Sequence, residues 1–159
     1  MSILNFQSGK HFSLSVAVII SLLSGCSAVN VSKQDQILSK IVIQYNKLLI
    51  EVNKTRDVNP LKEIAAKPVI EKLSLWMGAW ECGNVYLDAE LKNIDFDDLK
   101  IAGESALVIT SEYWSYIYRD LDTQEIAEPR QFISYKMQYK LEKRQHTWLI
   151  TEIDILEEI

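Results

Sequence analysis

Val85-Tyr86-Leu87-Asp88-Ala89-Glu90-Leu91-Lys92 is the stretch that decides the fold, because here the apolar period changes to two. Val85, Leu87, Ala89 and Leu91 alternate with Tyr86, Asp88, Glu90 and Lys92, the pattern of a half-buried strand. Downstream, Asp95-Phe96-Asp97-Asp98 reads as an acidic connection, and a turn at Ala102-Gly103-Glu104 leads into a long strand from Ser105 to about Tyr118. The loop Asp120–Arg130, with Pro129, joins it to a third strand, where Ile133, Tyr135, Met137, Tyr139 and Leu141 alternate with Ser134, Lys136, Gln138 and Lys140. Lys143-Arg144-Gln145-His146-Thr147 makes a hairpin turn into the last strand, Trp148 to Leu156.

Upstream the period is helical. Asp35 can cap a helix with apolar positions Ile37, Ile41, Tyr45, Leu48 and Val52, widened by Leu38, Val42 and Leu49. Asn53-Lys54-Thr55-Arg56-Asp57 ends it. Asn59-Pro60 opens a short second helix that stops near Ala66. Pro68 starts a third, running to about Glu81 and closed by Gly83, with Val69, Leu73, Trp76 and Trp80 on one face and Ile70 and Met77 beside them. Trp76 is expected to fill the helix–sheet core, and Cys82 to be a small buried filler, a redox or intermolecular thiol being the alternative. Helices followed by a long antiparallel sheet in one domain, residues 35–159, specify an α+β layer architecture.

Several local patterns carry a resemblance. They are Leu61-Lys62-Glu63-Ile64 before the third helix, Trp76 within it, Ala106-Leu107-Val108 after the glycine turn, and the closing Lys143-Arg144-x-x-x-Trp148-x-Ile150 hairpin. Over about Asp35 to Leu156 the chain resembles the nuclear-transport-factor-2-like (cystatin-like) cone, more narrowly its small envelope and plastid-division, or IMS-type, branch. The resemblance implies a curved antiparallel sheet wrapping a long first helix. The closing hairpin departs from the family pattern at Leu149, where a basic residue is common.

The N-terminus carries an address. Lys10-His11 precede an apolar run, Phe12 to Leu23, which ends in Leu23-Ser24-Gly25-Cys26. This is the layout of a secretory signal, and the run is shorter than the ~20 residues a membrane-spanning helix needs. The cysteine after Leu-Ser-Gly is similar to the lipobox of bacterial lipoproteins; an ordinary cleaved signal with an incidental cysteine is the alternative. The lipobox resemblance implies cleavage after Gly25, acylation of Cys26, and a lipidated tether over residues 26–34. Ser27, rather than Asp, follows the lipid-bearing position, which in Gram-negative lipoproteins implies the outer membrane, with the domain facing the periplasm. From Ser27 to Gln34 the leash spans roughly 25 Å when extended.

Removing residues 1–25 from the 159 leaves 134, the size of one ordinary domain. Lys10 is the only charged residue removed, so the net charge moves from −5 to −6. That balance argues against nucleic acid and against electrostatic adhesion to anionic lipid. Contact with the bilayer would therefore come through the acyl chains on Cys26. With Cys26 lipidated, Cys82 has no partner for a disulfide and too few companions for a thiolate metal site.

No cofactor or metal motif is present. Asp95, Asp97, Asp98 and Glu104 match no calcium-loop spacing. His146, the single histidine of the mature chain, falls in a turn with no nucleophile constellation. Asp88 and Asp154 fall on polar strand faces, so no catalytic residue is assigned. Trp114, Tyr116 and Tyr118 share one strand face and form the candidate binding face. The leading expectation is a non-enzymatic envelope lipoprotein that binds protein or peptide, as a subunit of an envelope complex or a homodimer. The alternative is a binder of a small apolar ligand in the cone interior, and an isomerase or hydrolase of the cone type is third. The interior separates them: a deep pocket with a lone carboxylate points to catalysis, a filled cone to protein interaction.

Overall fold

A computed structural model describes residues 32–159. The signal segment, Gly25, Cys26 and the tether up to residue 31 lie outside the described residues. Helix α1 (Lys33–Thr55) begins at a reciprocal cap: Ser32 Oγ accepts from the Asp35 amide at 3.0 Å, and Asp35 Oδ2 accepts from the Ser32 amide at 3.0 Å. The cap is therefore Ser32, and Asp35 is its partner in the first turn. A 3-10 turn (Asn59–Glu63) carries Pro60 in its first positions. Helix α2 (Lys67–Cys82) has Pro68 there. Gly83 follows α2 with an ordinary negative φ, and the left-handed residue that turns the chain is Asn84 (φ 56).

Strands β1 (Val85–Ala102), β2 (Ser105–Asp120), β3 (Gln131–Arg144) and β4 (Thr147–Glu158) form one antiparallel meander in the order β1-β2-β3-β4. The protein is thus α+β, with helices packed on an open antiparallel sheet. Gly103 (φ 63) supplies the first position of the tight β1–β2 turn. The β3–β4 hairpin turns through Gln145 and His146, both at positive φ, as a right-twisted two-residue hairpin requires. His146 is exposed there.

The acidic stretch is not a connection. β1 runs straight through it and pairs with β2, with register skips between Leu91 and Asn93 and between Phe96 and Asp98. Each skip shifts the alternation by one residue, so the inward set passes from Leu87, Ala89 and Leu91 to Ile94 and Phe96, then to Leu99 and Ile101. The acids take the other side: Asp97 accepts from Ser111 Oγ at 2.7 Å, and Asp98 pairs with Lys100. Two further skips in the β3–β4 ladder add bends.

The core gathers at the end of the sheet nearest the Gly103 turn. Leu38, Val42, Tyr45 and Val52 of α1, Leu61, and Val69, Ile70, Leu73 and Met77 of α2 pack on Ala106 and Val108 (β2), Tyr139 and Leu141 (β3), and Trp148 and Ile150 (β4). Ile64–Ala66 add to the β4 edge there, Ile64 O accepting from the Ile150 amide at 2.9 Å and the Ala66 amide donating to Ile150 O at 2.8 Å. Among the described residues the core runs through both helices and strands β2–β4, and residues 32–159 fall in one compact unit of ordinary domain size, the size and compactness a segment needs to fold alone.

Two further expectations, on α2, are corrected. Trp76 is 49% exposed, because the buried stripe of α2 runs through Val69, Ile70, Leu73 and Met77 and turns position 76 outward. Cys82 is exposed in the last turn of α2.

Candidate functional site: an aromatic cleft with a buried carboxylate

Beyond the core, the helices and sheet diverge to leave an open cleft of about 590 Å³. Its walls are Leu49, Val69, Leu73, Trp76 and Trp80 from the helices and Leu87, Trp114, Tyr135, Met137, Ile153 and Ile155 from the sheet. Such a volume lies within the range of small-molecule sites. The interior is open, where the protein-interaction reading expects a filled cone.

The floor is polar and centred on Glu112, 3% exposed. Its Oε1 accepts from Tyr139 O–H at 2.7 Å, Thr110 Oγ1 at 2.9 Å and Asn46 Nδ2 at 3.1 Å, and its Oε2 from Trp114 Nε1 at 2.9 Å. Buried carboxylates persist only with such compensation. Among the described residues, no Lys, Arg or His pairs with it; every ion pair lies elsewhere. Burial, and then the charge of Glu112, push the Tyr45 and Tyr139 phenols far above their usual range, so both keep their protons.

The floor is short of donors. Tyr139 has one proton and the nearer acceptor is Glu112, so Asn46 Oδ1, 3.3 Å from the phenol oxygen, receives none from it. Asn53, 4% exposed and seven residues along the same side of α1, has an enclosed Oδ1 with no hydrogen-bond partner among the described residues. At the rim, Lys72 Nζ lies 5.4 Å from the Trp76 ring centroid and donates to Ile153 O at 3.3 Å, while Lys140 pairs with Glu152 at 2.9 Å and Asp154 at 3.8 Å.

The candidate binding face divides. Trp114 is buried and forms part of the cleft. Tyr118 stands edge-on to Trp80 of α2 at 6.4 Å and to Tyr116 at 5.9 Å, and Tyr116 O–H donates to Gln131 Oε1 at 2.9 Å. These two tyrosines continue the row past the cleft. Asp88 joins Lys54 of α1 to Arg119 of β2, at 2.8 Å each, and Asp154 lies in the ion-paired rim. Burial pushes the Asp88 carboxyl up, but hydrogen bonds from Lys54 and Arg119, with their charges, outweigh it and hold it below the usual range. On the outer face Tyr113 and Phe132 stack at 6.0 Å.

Glu112 was missed by the sequence reading, yet a signal exists. Ala106, Val108, Thr110, Glu112 and Trp114 share one strand face, and an acid in an apolar row needs an explanation. Asn46 and Asn53 send the same signal within the apolar stripe of α1.

No family model and no curated protein matches the chain. Among solved structures it is similar to the intermembrane-space region of the chloroplast protein ARC6, with TM-score 0.67 and 18% identity, over 76% of this chain and 95% of that one. The likeness is one of fold: helices on an antiparallel sheet.

Proposed function

We propose that this protein is an envelope-tethered, non-enzymatic binding module that takes an apolar ligand into the cleft between α2 and the sheet. The open cleft, walled by aromatic and aliphatic side chains over a polar floor, carries the reading. It favours the ligand-binding alternative of the sequence over the filled, outward-facing protein binder. The lipobox at Leu23–Cys26 supports the tether, and the intermembrane-space origin of the structural neighbour is in keeping with an envelope compartment.

The buried carboxylate of Glu112 raises catalysis, and its surroundings argue against it. Three donors already occupy Oε1 of Glu112 and a fourth holds Oε2. The phenols beside it are held protonated, and His146 is in the far hairpin. Among the described residues, no proton-transfer pair is assembled at Glu112.

The test uses the full chain expressed in a bacterial host. It should fractionate with membranes and label with palmitate, and Cys26→Ser should abolish both. Organic extraction of the purified protein should release a bound apolar small molecule. Palmitate labelling of Cys26→Ser would overturn the tether; an extract free of any such molecule, with no uptake of added apolar probes, would overturn the cleft.

A further inference from the structure

Resting on the cleft reading above, we infer that the ligand is a small amphiphilic cation, with an apolar body between the aromatic walls and a protonated amine seated on the floor at Glu112 Oε2, which accepts from Trp114 alone and keeps one lone pair. The charge of the floor argues for it. Glu112 is almost fully enclosed and lines the cleft, and its four partners are neutral hydrogen-bond donors. Neutral donors disperse a carboxylate's charge without cancelling it. In a low-dielectric site an entering cation gains far more from that charge than it would in water.

Hydrogen-bond inventory gives the same chemistry independently. Asn46 and Asn53 both line the cleft; Asn53 Oδ1 has no donor among the described residues, and Asn46 Oδ1 has only the Tyr139 hydroxyl at 3.3 Å, whose one proton lies nearer Glu112. An ammonium brings three donors and no acceptor, which complements Glu112 and the neighbouring Asn46 Oδ1; Asn53 lies two turns further along α1, roughly 10 Å away, and is not reached by the same head group. A carboxylate ligand would instead place like charge against Glu112 and acceptors against acceptors. Trp76, Trp80 and Trp114 add ring faces of the kind that attract cations, as Lys72 over Trp76 shows at the rim. The cation of Lys72 is engaged by that ring and by Ile153 O.

The experiment titrates residues 32–159 with octylammonium, 1-octanol and octanoate at pH 7, reading tryptophan emission. Octylammonium and octanol share one apolar body and differ only in the head, and octanoate has a chain one methylene shorter, which alone is worth about fourfold in affinity. Octylammonium should bind about tenfold or more tighter than octanol, as expected of a charge-assisted hydrogen bond in a buried site, with octanoate the weakest. Glu112→Gln should bring octylammonium down to the affinity of octanol and leave octanol unchanged. The new amide N–H would face Trp114 Nε1–H, so Glu112→Gln combined with Trp114→Phe removes that conflict if the single variant melts early; Trp76 and Trp80 remain as reporters. Equal binding of octylammonium and octanol overturns the cation and leaves the apolar cleft standing. An octylammonium preference that survives both variants also overturns it, because the cation is then drawn elsewhere on an acidic surface. No binding of any probe overturns the cleft itself.

Discussion

Glu112 links three structural elements: Asn46 reaches it from α1, Thr110 and Trp114 from its own strand, and Tyr139 from β3. Such a network fixes where α1 lies across the sheet, at the cost of keeping a charge in the interior. It also sets how the fold responds to alkali. Tyr139 and Tyr45 keep their protons in the fold well beyond the usual phenol range, through burial first and the charge of Glu112 second. In the unfolded chain they ionise near pH ~10. Their raised pKa therefore contributes stability that is complete below about pH 10 and lost as the pH climbs above it. Urea unfolding between pH 8 and 11 should show stability falling along that limb, and Tyr139→Phe should make the fall shallower. An unchanged slope in Tyr139→Phe would show that its phenol titrates as freely in the fold as out of it.

Among the elements, β1 and α2 show what the sequence made legible. The strand at Val85–Leu91 and the hairpin at Lys143–Thr147 could be read because their alternation and turn residues are local signals. The rest of β1 could not, because the bulges at Lys92 and Asp97 twice invert the phase, and acids in an inverted register look like a loop. For α2, periodicity gave the helix but not its rotation: a stripe through Trp76 and one through Ile70 and Met77 fit the sequence about equally, and packing on the sheet, against both β1 and β4, decides between them. The same ambiguity hid the cleft, whose existence depends on how far α2 stands off the sheet. Trp76→Ala should thus cost only about 1 kcal/mol, as for a half-exposed ring that loses a cation contact. Leu38→Ala, in a fully buried position of α1, should cost about 2–5 kcal/mol. Chemical denaturation of both variants measures the difference, and a Trp76→Ala loss as large as that of Leu38→Ala would return Trp76 to the core.

At the scale of the whole molecule, the sheet performs two tasks at its two ends. Near the Gly103 turn its inner face is closed by both helices, and toward Trp114, Tyr135 and Ile155 it opens. An apolar surface left open in a small acidic domain is unfavourable unless something occupies it. The most direct test is a titration of residues 32–159 with the neutral fluorophore N-phenyl-1-naphthylamine, set beside the variant Leu49→Trp, which builds bulk into the cleft from α1. The native protein should bind the fluorophore saturably at one site, and Leu49→Trp should weaken binding by about tenfold or more with the melting temperature held near that of the native protein. Saturable binding that Leu49→Trp leaves untouched, or no saturable binding at all, would contradict the assignment of the cleft as the functional site.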